Sequence, residues 1–222
     1  MSHIEPLQRV GIYALIVVGV VGAAVLQTYL ERRRTKALAA AAKRLGLNFS
    51  AQGHLSQEGF ASFPIFQEGR GRCCSNILRG QPEGTAGVLL FDYEYETGSG
   101  RSRQTHRQTV AALRYAKGGL PKFSLRPESL LLKIATVFGY QDIDFPERPG
   151  FSRQYLLRGS EEKSIRELFG LNLLEYFEQH PGWFLEGGGD WLVVCQHGKR
   201  MPPQAFGDFI DRAKLLLWAF PR

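Results

Sequence analysis

Four side chains of this 222-residue chain carry the soft donor atoms that bind zinc or act as nucleophiles: Cys73, Cys74, Cys195 and His197. Zinc sites normally place about two to four residues between paired cysteines, so that both thiolates reach one ion. Cys73 and Cys74 are adjacent, and on a strand they point to opposite faces. The sequence therefore favours cysteines that are buried as small hydrophobic residues, and it predicts no metal site, no cofactor and no catalytic residue.

A pair of carboxylates, Asp142 and Asp144, is the second candidate for chemistry. Two residues apart on a strand, they share one face and could hold a divalent cation or act as acid and base. The same spacing follows without any function if Ile143 and Phe145 are buried and the aspartates face solvent. A membrane-tethered enzyme with a site around these aspartates or around Cys73 and Cys74 is the alternative function.

A basic hairpin is the third candidate. The segment 89–96 alternates apolar and acidic side chains, which is typical of a half-buried strand, and Gly98 and Gly100 reverse the chain into a second strand. Three arginines that follow the turn could bind phosphate or lipid headgroups: Arg101, Arg103 and Arg107. If the turn has an even number of residues, Arg103 faces Glu96 and Arg107 faces Asp92, and this pairing is favoured; an odd number leaves the cations free.

These candidates are positioned by a chain that begins with an apolar segment. No charged residue lies between Arg9 and Glu31, and the segment 11–30 is long enough, at ~1.5 Å per residue, to cross a bilayer as a helix. A cleaved signal peptide and a buried core helix are the alternatives. Gly19 and Ala23 are small residues one helical turn apart, so the span is also a candidate for a weak homodimer.

Basic residues flank this span on its C-terminal side, and such residues stay in the cytoplasm. The sequence thus predicts a single-pass protein of the inner (plasma) membrane, with residues 1–10 outside and the globular domain inside. Three cysteines, an odd number, agree with a reducing compartment. The segment 31–46 is predicted to be a basic helix that either contacts anionic lipid or only stops transfer; its cations are Arg32, Arg33, Arg34, Lys36, Lys43 and Arg44.

The remaining segment, 47–222, is long enough for one domain with its own core. Its net charge is only +2, whereas residues 1–46 carry +5, so the domain lacks the excess of cations expected of a nucleic-acid-binding protein. Nucleic acid is therefore an unlikely partner.

Strands and helices alternate in this domain in a way that predicts an α+β fold, a mainly antiparallel sheet packed with about three helices. Strands are expected at 60–67, 73–79, 89–96, the segment ending at 115, 123–125, 141–145, 151–157, 183–185 and 191–195. Helices are expected over 128–138, over 160–180 with a break near 170, and from 202 to the C-terminus, where apolar residues recur every three or four positions.

Three stretches resemble a known group of sequences: LPKFSLRPESLL, YQDIDFPERPGFSRQYLLRG and PGWFLEGGGDWLVV. They are similar to segments of an uncharacterised bacterial family of single-span membrane proteins with a small cytoplasmic α+β domain. The resemblance implies this topology and no site residues. The function expected from the sequence is a membrane-anchored, non-catalytic module that binds the lipid bilayer and another protein.

Overall fold

A computed structural model describes residues 6–53, 59–128 and 142–220. It confirms the α+β class, with one long N-terminal helix, an eight-stranded antiparallel sheet and several shorter helices. The helices are α1 (Pro6–Arg44), α2 (Pro149–Gln154), α3 (Glu162–Leu168), α4 (Leu171–Gln179) and α5 (Phe206–Trp218). The strands are β1 (Asn48–Gly53), β2 (Arg70–Gly80), β3 (Val88–Thr97), β4 (Gln104–Arg114), β5 (Leu120–Pro127), β6 (Tyr155–Gly159), β7 (Trp183–Gly189) and β8 (Trp191–Gln196).

Helix α1 runs without a break through both the apolar span and the basic segment that follows it. It is long and apolar enough to cross a membrane, and its side chains from Val10 to Leu30 are exposed in the isolated chain. Beyond the span, Leu38, Ala41 and Ala42 are buried against the domain. The C-terminal part of the segment 31–46 therefore packs against the globular domain.

The strands lie in the order β1-β2-β3-β4-β8-β7-β5-β6, and every neighbouring pair is antiparallel. The two hairpins β3–β4 and β7–β8 were predicted from the sequence and are confirmed. Gly187 shows why glycine is required in β7: a Cβ atom there would lie 2.1 Å from the ring of Phe123. All eight strands form one continuous sheet, whose outermost strands are β1, beside α1, and β6.

Helices cover one face of the sheet. The apolar stripe of α5 is buried there, and Phe206, Ala213 and Leu216 are each at most 1% exposed. The predicted helical segment 160–180 forms α3 and α4, with Gly170 between them. Both helix predictions are confirmed. In α5, the apolar residues recur every three or four positions, so they form one stripe that faces the core.

The opposite face has its own core, which the alternating side chains of β3 build: Leu89, Phe91, Tyr93 and Tyr95 are all buried there. Two 3₁₀ turns, Phe60–Ser62 and Pro64–Phe66, cover this face where a strand was predicted. The prediction of a strand over 60–67 is wrong. The rings of Phe60, Phe63 and Phe66 recur every third residue, which matches the three residues per turn of a 3₁₀ helix and places them in one cluster.

Two other differences from the sequence-based expectation have clear causes. β1 was not predicted, because it is an edge strand whose residues are mostly exposed and show no apolar alternation. The hairpin expected from 141–145 and 151–157 does not form: Pro149 begins α2, and a single bridge joins Asp142 to Arg158. The helix predicted over 128–138 lies almost wholly outside the described residues.

Candidate functional site

Two carboxylates and two guanidinium groups meet where α1 reaches the sheet, and we call this group the junction cluster. Arg34 donates from Nε and Nη2 to the two carboxylate oxygens of Asp92, both at 2.7 Å. Arg200, in the loop before α5, donates to both oxygens of Glu31 at 2.5 and 2.7 Å and to Asp92 at 3.1 Å. The four charges balance one another.

Neighbouring polar groups hold Asp92 in place at the centre of the junction cluster. Asp92 is 4% exposed and also accepts hydrogen bonds from Asn76 at 2.9 Å and from the Thr109 hydroxyl at 3.1 Å. Burial acts to raise the pKa of Asp92, but Arg34 and Arg200 outweigh it, and the pKa is lowered. The hydrogen bonds from Arg200 likewise lower the pKa of Glu31. Both groups are therefore ionised at neutral pH, and their contribution to stability is lost as the pH falls.

The junction cluster corrects one site prediction. Arg34 was among the six cations expected to contact lipid, but its side chain is 13% exposed and points into the domain. Its guanidinium also lies over the Phe206 ring, 5.9 Å from the centroid. No sequence motif indicated this cluster, because the residues of each salt-bridged pair are separated by 58 to 169 positions.

The other five cations of the segment 31–46 are exposed, but at different distances from the span. Arg32, Arg33 and Lys36 follow it within two turns. Lys43 and Arg44 lie about 20 Å beyond Leu30 along a continuous helix, well past the Debye length of ~8 Å. Contact between these five exposed cations and lipid stays a prediction.

Gly19, one of the two residues suggested for a homodimer, has no other part of the described chain near it. A Cβ atom added there would meet no atom within 4 Å, and Ala23 is exposed as well. A homodimer through this face stays a prediction.

Two of the three hairpin arginines, Arg103 and Arg107, pair with carboxylates of β3, as the favoured alternative predicted. The register between β3 and β4 differs by two residues from the predicted one. Glu94 faces Arg107, and Arg107 Nε donates to it at 2.5 Å, whereas Asp92 faces Thr109. The predicted pairing of Arg107 with Asp92 is wrong because Asp92 belongs to the junction cluster. Arg103 bonds Glu96, as expected, and Arg101 lies exposed in the turn.

A second buried charge cluster lies on the face covered by the 3₁₀ turns, and we call it the Arg126 cluster. Arg126 donates to Glu68 at 2.5 Å and to Glu186 at 2.8 Å, and its guanidinium lies 5.0 Å from the Phe184 ring centroid. Glu186 also accepts the Ile65 backbone N–H at 3.0 Å, which anchors the second 3₁₀ turn. The cluster holds one cation and two carboxylates.

Burial changes the pKa of one of the two carboxylates in this cluster, Glu186. Glu186 is 1% exposed, and its burial raises its pKa, although Arg126 and the Ile65 N–H oppose the shift. Tyr95 donates from its hydroxyl to Glu68 at 3.2 Å. The sequence did not indicate this cluster. Glu68 follows the predicted strand 60–67, and Arg126 and Glu186 lie in two stretches that carry the family resemblance but were given no role as charged residues.

The cysteines do not come together. Cys73 is exposed, whereas Cys74 on β2 and Cys195 on β8 are buried in the core of the second face. Burial raises the pKa of Cys74 to about 12 and raises that of Cys195 as well, so neither is a thiolate at neutral pH. A buried thiol of high pKa is a poor nucleophile.

Asp142 and Asp144 are both exposed at the start of the segment before α2. Asp142 accepts the Leu157 N–H at 3.1 Å, and partial burial, together with Asp144, raises its pKa. Within the described parts of the chain, no three His, Cys, Asp or Glu side chains converge as a metal site would require. Asp142 thus supports the local backbone.

One cleft on the domain has an apolar lining. It encloses about 610 Å³ between the end of α5 and the turns that precede β3 and follow β4, and its lining includes Tyr115, Leu217, Trp218 and Phe220. Of the described residues of the domain, three large apolar side chains are exposed, and two of them, Leu215 and Trp218, belong to the end of α5. Exposed apolar surface of this kind marks contact sites.

Comparison with known proteins gives one informative result. The crystal structure of the mycobacterial trehalose monomycolate transport factor A, TtfA, superposes with a TM-score of 0.59 at 13% sequence identity. The match covers 86% of this chain and 97% of that one. The likeness is one of fold. No protein-family model matches the chain, and no curated protein matches it.

Proposed function

We propose that this chain is a membrane-anchored, non-catalytic interaction module that assists a transport process at the inner membrane, its domain in the cytoplasm. The observation that carries the proposal is the junction cluster. It fixes an α+β domain directly to the end of the apolar helix through two salt-bridged arginines, with no linker between them. Such an attachment holds the domain close to the bilayer, within reach of a partner in the membrane.

The fold neighbour supports the same role. TtfA, a trehalose monomycolate transport factor, shares this architecture over nearly its entire length. At 13% identity we carry over only the coarse role, a factor that assists transport.

The orientation is the first testable part of the proposal. Arg32, Arg33 and Lys36 are exposed directly after the span. The sequence before the span contains one cation, Arg9, and one carboxylate, Glu5, so its formal net charge is zero. Positive residues are retained in the cytoplasm. A tag at the C-terminus should therefore survive protease added to intact spheroplasts and be digested once they are lysed. Digestion of the tag in intact spheroplasts, with cytoplasmic control proteins preserved, would overturn the assignment.

The partner surface we propose is the apolar cleft at the end of α5. Trp218 is 45% exposed and donates from Nε1 to the Gly84 carbonyl at 3.3 Å, so the ring is held open to solvent. Arg114 and Lys117 stand at the same cleft. Aromatic and arginine side chains supply most hot spots of protein interfaces. This surface fits a protein segment that combines apolar anchors with acidic residues.

A photo-crosslinking amino acid at position 218, in the full chain expressed in its native host, tests this function. The expected product is a covalent adduct with an integral membrane protein of a transport system, identified by mass spectrometry. Position 215 should give the same adduct, and position 179, an exposed site at the end of α4, should give none. An adduct at 218 with a soluble metabolic enzyme, or equal labelling at 179, would contradict the proposal.

A further inference from the structure

The direction of α1 along the sheet shows which end of the domain faces the bilayer. Near the span, Glu31 and Thr35 share a cleft with the end of β1 and with residues 73–76 of β2. After the helix ends, Leu47 lies against Gly80 at the opposite end of β2. The start of β2 and the end of β3, which pair with each other, therefore lie at the end of the sheet nearest the membrane.

The β3–β4 hairpin extends from the junction cluster toward the bilayer side of the domain. Arg34 contacts Asp92, and from Asp92 to Thr97 the strand advances about 16 Å at ~3.3 Å per residue. From Arg34 back to Leu30, the end of the span, the helix covers only about 6 Å. The strand is therefore long enough to bring the six-residue connection 98–103 to the lipid headgroups.

This connection carries an excess of exposed cations. Arg103 and Arg70 both approach Glu96, the latter at 3.9 Å, and each keeps more than half of its side chain exposed. Arg101 is exposed in the 3₁₀ turn Gly100–Ser102. Two of the three arginines share the one carboxylate of Glu96 and Arg101 adds a third cation, so the hairpin tip has a net charge of about +2.

We propose that this tip, formed by Arg70, Arg101 and Arg103, binds the phosphates of anionic lipid headgroups and so gives the domain a second contact with the bilayer. Arginine forks match phosphate geometry, and each cation near an anionic surface strengthens association about fivefold. The junction cluster makes the contact possible, because it holds the sheet at a set angle to the span. The proposal is independent of the protein partner at the α5 cleft.

The experiment uses the full chain in nanodiscs, with Cys73 replaced by Ser and a fluorophore on Ser99→Cys at the tip. Quenching by lipids that carry a headgroup spin label reports proximity to the surface. We expect strong quenching in phosphatidylcholine containing phosphatidylglycerol, and weak quenching in phosphatidylcholine alone or at high salt. The same fluorophore on Glu83→Cys, at the opposite end of the sheet, should stay unquenched in every case.

Arg101→Gln with Arg103→Gln should remove most of the quenching at position 99, whereas Arg153→Gln with Arg212→Gln, a matched pair of exposed arginines elsewhere, should leave it unchanged. Equal quenching at positions 99 and 83 would overturn the placement of the tip. Strong quenching that persists in neutral lipid and in the Arg101/Arg103 variant would overturn headgroup binding. Circular dichroism of each variant confirms that the fold is retained.

Discussion

Arg126→Met is expected to destabilise the domain by about 3–5 kcal/mol, because it leaves Glu68 and Glu186 buried without a cation. Methionine fills most of the volume of the arginine side chain, so the loss of charge dominates over the loss of packing. The measurement is urea unfolding of the full chain in detergent, followed by tryptophan fluorescence. Arg212→Met, at an exposed arginine of α5, should change the free energy of unfolding by less than about 0.5 kcal/mol.

Glu186→Gln separates charge from shape at the same site. Because the pKa of Glu186 is raised in the folded state, its contribution to stability is fully present below the unfolded pKa and is lost as the pH rises through the folded pKa. The free energy of unfolding of Glu186→Gln should therefore not decline as the pH rises, and its difference from the wild type should shift in favour of the variant toward neutral pH.

The Arg126→Met prediction has its own contradicting outcome. A destabilisation of Arg126→Met no larger than that of Arg212→Met would show that the cluster is not buried.

Asp92→Asn is expected to cost about 3 kcal/mol, since Arg34 and Arg200 then lack their shared carboxylate in a site where both are largely buried. The matched control is Glu94→Gln, two residues along the same strand. Glu94 is 42% exposed and pairs with the half-exposed Arg107, so its loss should cost at most about 1 kcal/mol. Urea unfolding of the full chain measures both variants.

A double-mutant cycle then shows that the loss arises in the junction cluster. Arg34→Met combined with Asp92→Asn should cost clearly less than the sum of the two single changes, because each removes the same interaction. Strict additivity would mean that Arg34 and Asp92 do not interact, and that α1 is not fixed to the sheet by this pair.

The amino-acid sequence by itself determined those elements whose residues repeat with the period of their own structure. The alternation in β3 placed Phe91, Tyr93 and Tyr95 on one face, and the three- and four-residue repeat of α5 placed its stripe against the sheet. The apolar segment 11–30 was evident from its length and lack of charge alone. Each of these patterns is local, so a single stretch of chain contains all the information.

The tertiary structure decided which charged residues meet. Arg34 appeared to be one of six equivalent surface cations until the fold placed Asp92 beside it, and Arg107 appeared to face Asp92 until the register placed Glu94 there. Likewise, nothing local marked Glu68, Arg126 and Glu186 as a buried group, because 58 or more residues separate Arg126 from either acid. Burial and pairing of charge depend on contacts between distant segments, and these exist only once the sheet has assembled.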